Sequence, residues 1–196
     1  HSAQWDHSYD LTGKNVVSIG TGGSAVQYVP EIAPKVKQLY VCQRTPAWVI
    51  PRDERSYGSL EKKIFEKLPF MRKLHRMRLY WSNESRLLMM RNPELTRRTL
   101  QNLAKLFIRF QVKDPVIAKK LTPDYTLGCK RILISNQYYP AFNRSNVELV
   151  TEGIQEIREH SIVTRDGVER PVDCIIYGTG FVVDPRVYMK SFELTG

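Results

Sequence analysis

Apolar residues along this chain fall into two regimes. Toward both ends they form short unbroken runs; in the middle they recur at helical spacing. Asn15-Val16-Val17-Ser18-Ile19 and Leu39-Tyr40-Val41-Cys42 have the length and β-branched character of strands buried on both faces. Ala25 to Ile32 lies between them and reads as helix, so residues 14–50 run strand, helix, strand. Pro46, Pro51 and Arg52-Asp53-Glu54-Arg55 then break the pattern. From about Leu60 to Leu121 apolar residues recur at 60, 64, 68 and at 100, 103, 106, 107, 110, which predicts three or four helices. Pro69, Pro93 and Pro115 each stand near a plausible helix start, and Asn92-Pro93-Glu94 offers a cap, a first-turn proline and a favourable acid. Strand character returns at Arg131-Ile132-Leu133-Ile134, Val147–Val150, Ser161–Thr164 and Val172–Tyr177. Asp166-Gly167 is a turn signal leading into Val168-Glu169. The expected fold is α/β: a mostly parallel central sheet, a helical insertion and a small antiparallel β element.

The first strand runs directly into Gly20-Thr21-Gly22-Gly23-Ser24-Ala25, and a helix follows. That order is the one in which a Rossmann-like βαβ unit presents a phosphate site. Glycine at 20 permits the tight turn, and glycine at 22 lets backbone approach a pyrophosphate. Ala25 takes the third glycine's place and is small enough for helix to pack on strand. N–H groups at the helix start face the anion, and Gln27 lies in the same first turns. The next strand ends in Gln43-Arg44-Thr45, with no acid there. An NAD site places a carboxylate near this point for the ribose 2′-hydroxyl. Arg44 offers instead a planar cation suited to a phosphate, so the site favours NADPH, with Thr45 beside it. The alternative is a surface arginine that merely follows a strand.

Composition narrows the class. The chain has 196 residues, 42% hydrophobic and 26% charged, as in ordinary globular proteins. No apolar run approaches the ~18 residues needed to span a bilayer. The start, His1-Ser2-Ala3-Gln4-Trp5-Asp6-His7, has neither the basic beginning nor the apolar core of a signal peptide. With no initiator Met, the chain reads as a processed product or a piece of a longer one. Three scattered cysteines, Cys42, Cys129 and Cys174, show no disulfide framework and no zinc spacing, so the expectation is a reducing cytoplasm and no metal. The net charge of +10 is concentrated: residues 58–120 carry 16 Lys/Arg against 5 Asp/Glu. Met71 to Trp81 mixes cations with apolar and aromatic groups, which could meet an anionic membrane surface or nucleic acid. The favoured reading is a helix packing its apolar stripe with its cations in solvent. Peripheral membrane contact stays open, and nucleic acid is disfavoured.

Several separated pieces together resemble one family, the Baeyer–Villiger monooxygenases within the class B flavin-dependent monooxygenases. His1-x-x-x-Trp5-Asp6 resembles the C-terminal half of that family's fingerprint run. Gly20–Ala25 resembles its second glycine motif, which holds NADPH. Gln43-Arg44-Thr45-Pro46 resembles the segment contacting the adenosine 2′-phosphate. Gly128-Cys129-Lys130-Arg131 resembles a loop whose Lys supports that phosphate and whose Arg reaches nicotinamide and flavin. Tyr138-Tyr139, Phe142-Asn143-Arg144 and Asn146-Val147 continue the pattern. Asp173-x-x-x-x-Gly178-Thr179-Gly180-Phe181 resembles an Asp-x-x-x-x-Ala-Thr-Gly-Phe run where the chain returns to the FAD domain; Gly178 departs from the usual Ala.

The resemblance implies a division of the chain. Residues 1–13 would be a linker from the FAD domain. Residues 14–57 and 122–181 would form the NADP-binding core, 58–121 the basic helical insertion, and 182–196 the return. It further implies that NADPH reduces FAD and that a peroxyflavin formed with O₂ attacks a ketone or oxidises a sulfide. Arg131 would stabilise the anions of that step and is the candidate catalytic residue. Gly20, Thr21, Gly22, Gly23, Ser24, Ala25, Gln27, Arg44, Thr45, Lys130, Thr179 and Gly180 would hold the cofactor. His1 and Trp5 would be conformational elements of the fingerprint. The FAD site would lie mostly outside this chain, which would then be inactive alone, with the missing FAD domain or another copy as partner. Other flavin-containing or N-hydroxylating monooxygenases, an NADP-disulfide-reductase-like domain, or an anionic-surface binding module through the basic helices are the alternatives.

Overall fold

A computed structural model describes residues 1–52, 54–91, 94 and 99–181. Asn92, Pro93 and the proposed return segment 182–196 lie outside the described residues. The chain divides into two compact units, His1–Pro46 with Pro140–Gly196, and Ala47–Tyr139.

In the first unit the unbroken apolar runs become a parallel sheet. Its strands are β1 (Asn15–Ile19), β2 (Gln38–Cys42), β5 (Val147–Val150) and β9 (Cys174–Tyr177), in the order β5-β2-β1-β9. All three pairings are parallel, with Val16 opposite both Leu39 and Cys174. Val16, Val17, Leu39 and Val41 are fully buried, which is why these strands read as continuous apolar runs and not as alternating ones. Helix α1 (Gly23–Ile32) connects β1 to β2 and buries Ala25, Val26, Val29 and Ile32, one face at helical spacing. Val26, Val29 and Ile32 each contribute about 1.5–3 kcal/mol by leaving water. Asn146 donates from Nδ2 to the carbonyls of Ala33 (2.8 Å) and Val36 (3.0 Å), fixing the entry to β5.

The same unit carries the antiparallel element: β6 (Ile154–Ile157), β7 (Ser161–Thr164) and β8 (Glu169–Pro171). The Asp166-Gly167 turn forms as the sequence predicts. Gly167 sits at φ +79°, and Gly167 N donates to Thr164 O at 2.8 Å. Val17, Tyr40, Cys42, Val150, Ile162 and Val172 form a common core for the two sheets. Arg170 ties them electrostatically: its Nε and Nη2 donate to Glu148 Oε1 at 2.9 and 2.6 Å, and its Nη1 to Thr164 Oγ1 at 2.8 Å.

The second unit is helical and wider than the stretch 58–121. It includes the short parallel pair β3 (Val49–Ile50) and β4 (Leu133–Ile134), which the sequence pattern only half shows. The expected strand 131–134 shrinks to its last two residues; Arg131 stands outside it, exposed. The unit's helices include α2 (Ser59–Lys67), α3 (Pro69–Arg91), α4 (Gln101–Gln111) and α5 (Pro115–Lys120) among the described residues. Pro69 and Pro115 start helices, and Asp114 Oδ1 caps α5 by accepting Val116 N at 2.7 Å. Glu61 accepts Gly58 N (3.2 Å) and both Arg55 Nη atoms (2.7 and 2.6 Å), which fixes the start of α2. Trp48 anchors the unit, fully buried with its Nε1 donating to Tyr125 O at 2.9 Å. In α4 the buried line is Gln101, Ala104 and Ile108, whereas Leu103, Leu106 and Phe110 of the apolar spacing are exposed. The short helix α6 (Tyr138–Ala141) leads toward β5.

Candidate functional site

The glycine turn leaves β1 at the C-terminal end of the parallel sheet, beside the end of β2. Gly20 lies at φ +109°, a conformation that disfavours any side chain, and its N–H donates to Cys42 O at 3.1 Å. A Cβ there would collide with the Gly178 carbonyl oxygen and lie 2.9 Å from Gly178 C. Close approach of the β9 exit turn is therefore a second reason for glycine at 20, one the sequence does not display. Gly22 precedes α1, and a Cβ on it would meet nothing within 4 Å, so the space on that side is open. Gly22, Gly23 and Gln27 are exposed, Ser24 is half-buried, and Ala25 is fully buried under α1 as its small size requires. The first turn of α1 has no side-chain cap, leaving backbone N–H groups at its start available to an anion.

Thr21 closes the other half of the site. It is buried, and its Oγ1 donates to Thr45 O at 3.1 Å, tying the glycine turn to the residues after β2. Gln43 is also buried, with its N–H donating to Val150 O at 2.8 Å. Arg44 lies between these two anchored residues and is exposed, with no ion pair to it among the described residues. Gly20–Ala25, Arg44 and Thr45 are thus brought together on one unit.

The fingerprint residues meet the exit turn. His1 Nε2 lies 3.1 Å from Gly180 O, and the His1 ring packs edge-on against Phe181 at 5.4 Å. Thr179 and Gly180 are exposed, and Gly180 lies at φ +88°. Asn15 N donates to Asp173 Oδ2 at 2.7 Å, which fixes the other end of β9 against β1. Trp5 packs on Tyr28 of α1, ring centroids 5.5 Å apart, and Tyr28 Oη is 2.8 Å from Ser18 Oγ. Burial raises the Tyr28 pKa above its ordinary value, so the hydroxyl stays protonated. Sequence reasoning passed over Ser18 and Tyr28. The available signal was Ser18 itself, a polar residue in an otherwise buried strand, which needs a partner.

Lys130 and Arg131 stand on the second unit. Gly128 at φ +98° turns the chain, Cys129 N donates to Thr126 O at 3.1 Å, and Leu133 N donates to Trp48 O at 2.8 Å. Lys130 Nζ sits 4.6 Å from the Tyr125 ring centroid, held by the ring's negative face. Lys130, Arg131 and Cys129 are all exposed. Burial pushes the Cys42 thiol up to about 11, so Cys42 behaves as a small apolar residue.

Residues 1–192 match the flavin-binding monooxygenase-like family. The chain belongs to this family. It is 47% identical over 187 residues to a Baeyer-Villiger monooxygenase of Pseudomonas aeruginosa, covering 95% of this chain and 36% of that protein. Among solved structures it resembles an oxidized steroid monooxygenase bound to NADP, with a TM-score of 0.73 and 29% identity over 91% of this chain and 41% of that one. It also resembles OTEMO in complex with FAD and NADP, with a TM-score of 0.69 and 30% identity over 88% of this chain and 38% of that one. This flavin-binding monooxygenase-like chain therefore spans about 36% of the length of the Pseudomonas relative. No helix of its described residues is long and apolar enough to cross a membrane.

Proposed function

We propose that the chain is the NADPH-holding part of a Baeyer–Villiger-type monooxygenase that uses FAD and O₂ to oxygenate a ketone or a sulfide. The observation that carries this is the pairing of a glycine turn at a helix N-terminus with an exposed arginine just after the next strand, joined through Thr21 and Thr45. The residues fit a dinucleotide: the side of Gly22 is open, the helix start is uncapped, and Arg44 is exposed. NADP in the steroid monooxygenase, and FAD with NADP in OTEMO, support the same pair of cofactors.

In this reading the N–H groups of Gly22, Gly23 and Ser24 donate to the pyrophosphate, and Ala25 lets α1 pack close behind them. The exposed Arg44 guanidinium, with Thr45 beside it, would hold the 2′-phosphate by charge and hydrogen bonding. On the second unit, Lys130 would supply a cation toward the cofactor, and Arg131, always protonated, is suited to negative charge developing at the reacting atoms. Gln27, Thr179 and Gly180 border the cofactor; His1 and Trp5 fix the N-terminal segment against the exit turn. When bound, nicotinamide and flavin supply the hydride and oxygen chemistry. In this reading 1–13, 14–57 with 122–181, 58–121 and 182–196 serve as linker, cofactor-binding segments, insertion and return, with 47–57 and 122–139 packed in the second compact unit. Free thiols fit a cytoplasmic setting. Titration calorimetry with NADPH and NADH tests the reading: NADPH binds more tightly, and Arg44→Ala removes the difference. Equal affinity in the parent chain would overturn it.

A second reading rests on α3. Phe70, Leu74, Met77 and Trp81 fall on one helical stripe and are 57%, 53%, 47% and 63% exposed, with Arg72, Lys73, Arg76 and Arg78 interleaved. That is the pattern of a helix lying on an anionic membrane surface. Sedimentation with phosphatidylserine vesicles, reduced by Trp81→Ser and unaffected by Arg44→Ala, distinguishes it.

A further inference from the structure

Gly178 is a glycine that its own backbone does not require. It is not among the positive-φ glycines, so its conformation would accept alanine. What excludes a methyl group is its surroundings. A Cβ at 178 would lie 2.7 Å from Tyr28 Oη, 3.4 Å from Ile19 O and 3.6 Å from Tyr28 Cζ. Only the first contact is impossible for a carbon atom; the others are close to ordinary packing.

The Tyr28 hydroxyl has little freedom to yield. Its oxygen is 2.8 Å from Ser18 Oγ, a fully buried group that needs this partner. Its ring is backed by Trp5 at 5.5 Å. Gly178 cannot retreat either, because its N–H donates to Ile19 O at 2.8 Å and its carbonyl abuts Gly20. Tyr28, Gly178 and Gly20 therefore form a contiguous stack from the helix to the dinucleotide turn. Any change of height at one member passes to the next.

We infer that Tyr28 is a positioning residue for the glycine turn: its hydroxyl fills the room that a methyl at 178 would take, and so sets where Gly20 to Gly22 stand. Tyr28 and Gly178 are a matched pair. A methyl at 178 is compatible with a phenylalanine at 28 and incompatible with the tyrosine. This inference rests on the reading of Gly20–Ala25 as the cradle of NADPH.

The test is a cycle of four proteins: the parent chain, Gly178→Ala, Tyr28→Phe and the double variant. Two probes are used, NADPH, which spans the glycine turn, and adenosine 2′-phosphate, which needs only the Arg44 end. Gly178→Ala is expected to weaken NADPH about tenfold, equivalent to about 1.4 kcal/mol, and to leave adenosine 2′-phosphate within about twofold. Tyr28→Phe alone also weakens NADPH, by about threefold, because it takes the hydroxyl from beneath the turn and leaves Ser18 Oγ without this partner, and adding it to Gly178→Ala restores NADPH affinity to the Tyr28→Phe level. A Gly178→Ala protein that does not fold, beside a double variant that folds and binds, is the same rescue in a stronger form. The inference is overturned if Gly178→Ala binds NADPH like the parent, if Tyr28→Phe fails to rescue it, or if both probes weaken equally. A parent chain that binds adenosine 2′-phosphate but gains nothing from the rest of NADPH removes the cradle reading, and this inference with it.

Discussion

The two units bury their apolar residues by different rules. In the first, a strand covered on both faces has nowhere to put a side chain except the core, and Val16, Val17, Leu39 and Val41 are all fully buried. In the second, helices have a choice of faces. The apolar spacing along α4 predicts a stripe through 103, 106, 107 and 110, yet the buried line is 101, 104 and 108; of the stripe only Phe107 packs, half-buried against Tyr139, and Phe110 is 85% exposed. On α3 the same holds for Phe70 and Trp81. Helical periodicity shows that a face exists; it does not show what covers it. A parallel strand needs no such information, because its run of apolar residues already implies cover on both sides.

Substitutions sharpen that contrast. Trp48→Ala should cost about 3–5 kcal/mol in urea unfolding, since it empties a fully buried site of the helical unit and removes the Nε1 hydrogen bond to Tyr125 O. A loss below 1 kcal/mol would mean that the helical unit has no real core of its own. Arg170→Met should cost roughly 2–3 kcal/mol, less than a deep ion pair because Glu148 is partly exposed. In the first unit this tests whether polar ties matter beside apolar burial; an unchanged unfolding midpoint would assign all of its stability to the apolar core.

The α2 start gives a pH-dependent comparison. Hydrogen bonding from Arg55, then from Gly58 N, holds the Glu61 carboxyl down to about 2. A group with a lowered folded-state pKa stabilises above its unfolded value, near 4.5, and loses that contribution as pH falls toward 2. The start of α2 should therefore loosen across that window, seen in amide exchange of residues 59–62, while the parallel sheet stays protected. Glu61→Gln should abolish the pH dependence; its persistence would place the titrating group elsewhere. The smallest effect belongs to Phe110→Ser, expected within about 0.5 kcal/mol of the parent, and a larger loss would show that this side chain is covered in solution.

Much of the fold was legible because the relevant physics is local. The glycine turn between a buried strand and a helix and the Asp166-Gly167 turn use backbone conformations that glycine alone reaches freely, and the prolines at 69 and 115 fix theirs. The place of Arg44 after β2 followed from strand order alone. By contrast, the strand expected at 131–134 formed only at Leu133–Ile134, because pairing with Val49–Ile50 decides its length. β6 went unread because Ile154–Ile157 carries mostly exposed side chains and gains its strand form from β7.

The sequence by itself determined the α/β alternation, the glycine turn between strand and helix and the cation after the second strand. Those depend on residue type and spacing within a few turns of chain. Only the tertiary structure decided why Gly20 and Gly178 must both lack a side chain, and that Thr21 ties the turn to Thr45. It also decided that the Tyr28 hydroxyl, bonded to Ser18 and with its ring against Trp5, stands where a methyl at 178 would go. Gly20 and Gly178 are 158 positions apart in the chain, and the collision that forbids a methyl exists only once β1 and β9 lie side by side.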